Sequence, residues 1–428
     1  MKRIELTITA LSPLAIGRQK PGGSVSEVES YIPGSVIRGA IASHILQQAN
    51  PKDSDLSQNG GDFQSLFLDE NPAIFQNAYP AIAKVGKDKY EAVPDEVQVL
   101  PATAVSSKAE SGFKPDGNGV FDTLIDRFCA DAYNHPYDPS DPKSIEEGTD
   151  ARVEPYGGFY SKTSDNKYRS HSVSTRFLTR VGINRRRATA EEEILYSIEV
   201  LNESFLKNPK AKVKDWEPIV YRSAVIASDE LASKLLQFIN ENPFAFRLGG
   251  STSRGLGKVK IEAKEKGNPE EVKSRIDNFN EILNERWSLW SIFGNPKENL
   301  LEGRTYFTLD LQSDAILTEQ WRRTTVISEV MLQQFAGIED ASLKLETAYS
   351  SYDYRSGWNS AWGLMKDVDL VTNKSAVYLF STTHDKENEW IEALKKLEMN
   401  GVGDRTCEGF GQIKVCNEFH NVFREEAV

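Results

Sequence analysis

Residues 3–11 (Arg3-Ile4-Glu5-Leu6-Thr7-Ile8-Thr9-Ala10-Leu11) alternate polar and apolar side chains with the period of a strand, and Ser12-Pro13 stops them. Residues 304–311 (Arg304-Thr305-Tyr306-Phe307-Thr308-Leu309-Asp310-Leu311) repeat the pattern three hundred positions later. Each half also closes alike. Gly249-Gly250-Ser251-Thr252-Ser253-Arg254-Gly255-Leu256-Gly257 runs into the alternating segment 258–261, and Gly403-Asp404-Arg405-Thr406-Cys407-Glu408-Gly409-Phe410-Gly411 into 412–415. Between these landmarks the period lengthens to that of helices. Ile37, Ile41 and Ile45 share a face after Ser35, which reads as an N-cap. Residues 229–239 carry Leu231, Leu235, Leu236 and Phe238, and 320–336 and 386–398 also read as helical. A strand, a helix, strands, a helix and a glycine loop into a strand is the order of a ferredoxin-like β-α-β-β-α-β unit. Internal repetition of that order predicts an α+β fold with two such units in tandem. The expected domains are 1–263, with an insertion at about 85–190, and 304–418. Residues 264–303 form a helical joint packed down by Trp287, Trp290 and Phe293, and 419–428 are a tail.

Composition adds one surprise. The chain has 428 residues, of which 39% are hydrophobic and 27% charged, as in a folded multidomain protein. No apolar run approaches the about 18 residues that span a membrane. The start, Met1-Lys2-Arg3 followed by alternation, is no signal peptide, so a membrane partner is not expected. Cys129, Cys407 and Cys416 lie far apart without metal-ligand spacing, which fits a reducing cytoplasm and argues against structural zinc. The net charge is −12, yet residues 151–190 hold nine Lys/Arg against Glu154 and Asp165 alone. The nine are Arg152, Lys162, Lys167, Arg169, Arg176, Arg180, Arg185, Arg186 and Arg187. A local basic field on an acidic background is what a polyanion groove requires, whatever the global sum.

The first glycine loop suits the same ligand chemistry. Gly250, Gly255 and Gly257 permit positive φ and close approach, while Ser251, Thr252, Ser253 and Arg254 offer hydroxyls and a guanidinium to phosphate oxygens. It is not a Walker loop, lacking the Gly-Lys-Ser/Thr triplet, nor a dinucleotide fingerprint, since a strand follows the glycines. Arg38, in the first turn of a helix after Ser35, combines charge with a helix N-terminus. Arg18 and Lys20 are open to RNA contact or to plain solvation. Tyr156, Phe159, Tyr160 and Tyr168 interleave with Lys162, Lys167 and Arg169, either as a stacking platform for bases or as a small core under the insertion. Trp358 and Trp362, four apart, read as packing. The histidines (His44, His135, His171, His384, His420) form no acid–base constellation, and Asp122 and Asp126, at i and i+4 of an expected helix, make no cluster. No catalytic residue, metal or cofactor is expected.

Four stretches resemble the CRISPR-associated RAMP superfamily. Tyr31-Ile32-Pro33-Gly34-Ser35-Val36-Ile37-Arg38-Gly39-Ala40 is similar to its entry into the first helix. Arg180-Val181-Gly182-Ile183-Asn184-Arg185, with Ala188-Thr189-Ala190 and Ile194-Leu195-Tyr196-Ser197-Ile198-Glu199-Val200, resembles the stretch after the protruding thumb. The two terminal glycine loops are the third feature. The fourth, Ser356-Gly357-Trp358-Asn359-Ser360-Ala361-Trp362-Gly363-Leu364-Met365-Lys366, looks like a signature of the type III-D RAMP protein. Asn184 stands where aspartate is common, Met365 where proline is, and Asp404 and Glu408 weaken the second loop as a phosphate cradle. The resemblance implies two RAMP domains, the first with a basic thumb. It also implies a guide-RNA-binding (Cas-five-like) subunit without catalysis that caps the 5′ handle of crRNA in a type III effector complex. Partners would be crRNA, target RNA, RAMP backbone subunits and the large polymerase-like subunit, in a cytoplasmic hetero-oligomer. A backbone subunit that cleaves target RNA, and a repeat-processing endoribonuclease, stay open as alternatives.

Overall fold

The computed structural model describes residues 1–18, 27–49, 56, 60–86, 89–148, 150–184, 189–265, 271–296, 298–359 and 363–428. It is a mixed α/β protein with several antiparallel sheets, divided into two compact units. The first comprises Met1–Val97, His171–Lys266 and Arg355–Val368, and the second Gln98–Ser170, Gly267–Tyr354 and Asp369–Val428. Among the described residues no helix is long and apolar enough to cross a membrane.

In the first unit Lys2–Ala10 lies between Val259–Glu265 and Val220–Ala227, and Ile74–Phe75 and Tyr79–Pro80 follow on the outer side of Val220–Ala227. Period-2 alternation puts Ile4, Leu6, Ile8 and Ala10 on one face, all buried. That face packs against the helices Gly34–Ala49 and Asp229–Glu241 through Ile37, Ile41, Leu235 and Ile239. The first helix begins at Gly34, two residues earlier than an N-cap at Ser35 would place it. The Gly34 N–H donates to Asn77 Oδ1 at 2.8 Å, so a side chain remote in sequence ties down the helix start and Ser35 falls inside the first turn. Thr175–Asn184 and Thr189–Leu201 form a long two-stranded hairpin whose base, Val200 and Leu201, is buried while Phe177, Val181 and Leu195 stand exposed.

The second unit repeats the strand order. Arg304–Leu311 lies between Ile413–Val415 and Val377–Thr383, with Lys344–Tyr349 outside. Its core draws on the helices Val272–Trp290, Glu329–Ala336 and Glu387–Asn400. Trp287 is buried there and Trp290 packs partly against it, while Phe293, though 52% exposed, lies against the Trp290 and His135 rings with centres 5.1 and 4.1 Å away. The expected helix 320–336 is shorter than its pattern. Leu317–Glu319 and Arg322–Thr324 pair as a hairpin, and helix starts only at Glu329, where the Ser328 hydroxyl accepts from the Met331 N–H at 3.2 Å.

Residues 98–170, expected within an insertion of the first domain, cluster with the second unit. A small core explains it: Leu100, Val105, Phe113, Phe121 and Tyr160 bury themselves against Phe419, Val422 and Ala427. The expected tail is therefore built in. Val120 and Val428 exchange backbone hydrogen bonds of 2.8 and 3.0 Å, and the Asp122 N–H donates to the Val422 carbonyl at 2.8 Å. Asp122 ends the strand Val120–Asp122 rather than lying in a helix, and its carboxylate accepts from the Leu124 N–H at 2.8 Å as the helix Leu124–Ala132 starts.

Candidate nucleic-acid interface

The two glycine loops are one structure built twice. In each, a left-handed residue (Ser251, φ 56°; Arg405, φ 57°) opens a single 3-10 turn, and a left-handed glycine (Gly255, φ 88°; Gly409, φ 94°) closes it. The hydrogen bonds match pair by pair. Gly250 N–H donates to the Ala15 carbonyl at 2.8 Å, and Asp404 N–H to Ile316 at 2.9 Å. Gly257 N–H donates to Pro13 at 2.9 Å, and Gly411 N–H to Asp314 at 2.8 Å. The hydroxyls of Ser12 and Ser313 each accept from the residue after the last glycine, Lys258 and Gln412, both at 2.8 Å.

Gly257 is glycine for a reason that does not involve a ligand. Its φ is +80°, and a Cβ there would sit 2.5 Å from the Leu248 carbonyl oxygen. Gly250 has no such constraint, since its Cβ would lie 3.7 Å from the Ala15 oxygen. Gly257→Ala is thus expected to cost about 1–3 kcal/mol through strain alone, and more through the clash, whereas Gly250→Ala costs less than about 0.5 kcal/mol. Urea unfolding of the two variants checks this; equal stability would remove the structural role of Gly257.

Charge separates the loops. In the second, Arg405 pairs with Glu408 at 2.6 Å and Asp369 at 3.3 Å and lies 5.0 Å from the Phe410 ring centre. Arg323 pairs with Asp404 at 2.6 Å and Asp369 at 2.7 Å. Burial works against the Arg323 charge, but hydrogen bonds and attraction from Asp404 and Asp369 outweigh it and raise its pKa. That loop is electrostatically closed. In the first loop Arg254 donates instead to the neutral Tyr196 hydroxyl at 2.6 Å, with its guanidinium carbon 5.9 Å from the ring centre. Tyr196 pairs across the long hairpin with Arg180, so both side chains share one face of it. Arg180 Nε is buried without a hydrogen-bond partner. Two guanidiniums, one aromatic ring and the hydroxyls of Ser251, Thr252 and Ser253 are the groups that hold a phosphodiester backbone and a base.

The remaining expected contacts divide. Arg176, on the same hairpin face, pairs with Glu203 at 2.8 Å, and Arg18 with Glu27 at 3.3 Å. Arg38 is spent on structure: it donates to the Phe67 carbonyl at 2.5 Å, at the end of the helix Gly61–Phe67, and lies over the Phe67 ring. Lys20, Arg185, Arg186, Arg187 and Trp362 fall outside the described residues, as does the Trp358 side chain. Lys162, Lys167 and Arg169 belong to the second unit, where Lys162 pairs with Glu418 at 2.6 Å. The interleaved rings there are core. Phe159 and Tyr160 are buried, Tyr160 donates to Asn417 Oδ1 at 2.7 Å, and Tyr156 and Tyr168 pack against the same cluster.

Asp122 and Asp126 are both buried. Asp126 accepts from Arg286 at 2.8 and 2.9 Å and from the Trp290 indole at 2.8 Å. Asp122 belongs to an ionic clamp that sequence spacing did not disclose. His420 is fully buried, with Nδ1 3.1 Å from Asp122 and Nε2 2.7 Å from Asp310. Burial opposes its charge, yet Asp310 and Asp122 prevail and raise its pKa from 6.5 to about 10. His44 packs on Phe238 and Phe246. Among the described residues no group of three or more His, Cys, Asp and Glu could hold a metal ion.

The sequence matches the family model described as the RAMP superfamily over residues 7–260, more than half of the chain. No curated protein matches it. Among solved structures, a chain of a Type III-B Cmr-beta complex bound to cognate target RNA and AMPPnP is similar at 12% identity. The match covers 92% of this chain and 89% of that one, with a TM-score of 0.39. Oligomeric Cmr4 from Pyrococcus furiosus matches at 13% identity over 62% of this chain and 99% of that one, with a TM-score of 0.25. A Cas6 product complex matches at 12% identity over 50% and 82%, with a TM-score of 0.28.

Proposed function

The chain belongs to the RAMP superfamily, and from that premise we propose that it binds single-stranded RNA through the first glycine loop and the adjoining hairpin face. The observation that carries the reading is the asymmetry in charge of two loops that share their turn conformation and backbone hydrogen bonds. Asp369, Asp404 and Glu408 neutralise the second, while Arg254 and Arg180 flank the first around Tyr196. Phosphate rewards the uncompensated cations and gains little from the compensated ones. The shared strand order of the two sheets supports tandem ferredoxin-like domains.

On this reading the chain is a guide-RNA-binding subunit of a type III CRISPR effector complex. The crRNA handle is its ligand, target RNA and other Cas subunits are its partners, and the cytoplasm is its compartment. Its part is to hold the RNA rather than cut it. Purified protein should bind an unstructured RNA oligonucleotide, with log affinity falling linearly against log salt, because phosphate contacts release counterions. Binding that ignores salt, or no binding at 50 mM salt, would remove the proposal. Hydrolysis of the oligonucleotide by the chain alone would favour the endoribonuclease alternative.

A further inference from the structure

A second feature of the chain also answers to nucleic acid, and the glycine loops do not include it. Leu317–Glu319 and Arg322–Thr324 pair in the register Leu317↔Thr324, Thr318↔Arg323, Glu319↔Arg322, which leaves Gln320 and Trp321 as a two-residue loop. Both have positive φ, 46° and 64°, the pattern of primed hairpin turns that Asn-Gly normally supplies. A tryptophan in that backbone region is a rare and strained choice. Trp321 is also 99% exposed, the most exposed large hydrophobic side chain among the described residues. Packing therefore does not account for it, and folding would be easier with glycine.

The stem beneath the ring is rigid. The Thr318 hydroxyl lies 3.1 Å from Asp404, and Arg323 bridges Asp404 and Asp369 while also donating to Thr318 at 2.5 Å. Those bonds consume the acids of the neighbourhood. Glu319, opposite Arg322, accepts from the Ser328 hydroxyl. Arg322 itself is exposed and has no ion-pair partner among the described residues.

We propose that Trp321 is a stacking platform for an unpaired RNA base, with Arg322 beside it on the backbone phosphate. The inference rests on the RNA-binding reading above and extends it to the second unit, whose glycine loop is closed to phosphate. A flat ring held out at a rigid tip loses little freedom on stacking, and stacking tolerates any base.

The test uses the full-length chain and a single-stranded RNA carrying 2-aminopurine, with affinity measured at several salt concentrations and Tm recorded for each variant. Trp321→Ala and Trp321→Gly should each weaken binding about tenfold with an unchanged salt slope, since stacking releases no counterion. Trp321→Phe should stay within about threefold of the wild type. Trp321→Gly should also raise Tm by about 2 °C, because glycine relieves the left-handed strain, so its binding defect cannot be ascribed to misfolding. Arg322→Ala should reduce the salt slope by about one. Wild-type binding with no loss in Trp321→Ala or Trp321→Gly would overturn this inference while sparing the RNA reading. Failure of the wild type to bind would overturn both. Unchanged RNA affinity in Trp321→Ala, combined with loss of partner subunits from the assembled complex, would identify the tip as a protein contact and overturn the inference as well.

Discussion

Replacing His420 by alanine destabilises the protein by about 3–5 kcal/mol, the usual loss when one member of a buried ionic set is removed and its partners are left behind. The clamp leaves those partners no alternative. Asp310 lies on the central strand of the second sheet and accepts from the Thr308 hydroxyl at 2.7 Å. Asp122 accepts from Thr103 at 2.6 Å and from the Leu124 N–H at 2.8 Å. Without the imidazolium, two buried carboxylates would share one apolar site. His420→Gln restores part of the hydrogen bonding without the charge and should fall between wild type and alanine. The pH dependence has a definite sign. The folded pKa of about 10 lies above the ordinary 6.5, so the native state keeps a proton that the unfolded chain releases. The stabilisation is complete below pH 6.5 and is lost as pH rises to about 10. Urea unfolding between pH 6 and 10 should show that decline in the wild type and not in His420→Gln. A wild-type-like unfolding midpoint for His420→Ala would sink the clamp.

Reversing both guanidiniums beside the first loop, Arg180→Glu with Arg254→Glu, weakens RNA binding about 100-fold, roughly 1.4 kcal/mol for each lost phosphate contact. The salt slope falls by about two at the same time. Neither residue pairs with an acid in the described structure, since Arg254 engages the Tyr196 hydroxyl and Arg180 Nε has no partner. Their reversal should therefore leave Tm within a few degrees. The matched control is Arg405→Glu, which breaks the pairs with Asp369 and Glu408 and spares those that Arg323 makes beneath Trp321. That variant should lose stability while changing RNA affinity less than threefold. Fluorescence anisotropy at several salt concentrations, with melting curves for both variants, separates the two loops. If the control loses RNA and the first pair keeps it, the roles assigned to the loops are reversed.

What the sequence disclosed was local, and what it concealed was contact between distant segments. Period-2 alternation located the strands Lys2–Ala10 and Arg304–Leu311 to within a residue, and the glycine spacing located both loops. Only the structure showed that Gly257 is required by the Leu248 carbonyl and that the second loop spends its arginines on its own acids. The basic run 151–190 reads as one field along the chain, but its early part lies in the second unit and its hairpin in the first. Tyr156, Phe159, Tyr160 and Tyr168 alternate with cations because that segment is half core and half surface, a pattern that also describes a stacking groove. Trp321 fell inside the segment 320–336 that reads as helical, because the positive φ of a primed turn leaves no mark when neither residue is glycine. The Asp122–His420–Asp310 clamp joins residues separated by more than a hundred positions, beyond the reach of any spacing rule.

The most direct test of RNA binding at the first loop is ultraviolet cross-linking of the wild-type protein to bound RNA, followed by mapping of the linked peptides. The account predicts adducts on Tyr196 and within 249–257, lost together in the Arg180→Glu, Arg254→Glu variant. Efficient cross-linking that leaves 189–201 and 249–257 unmodified would contradict it.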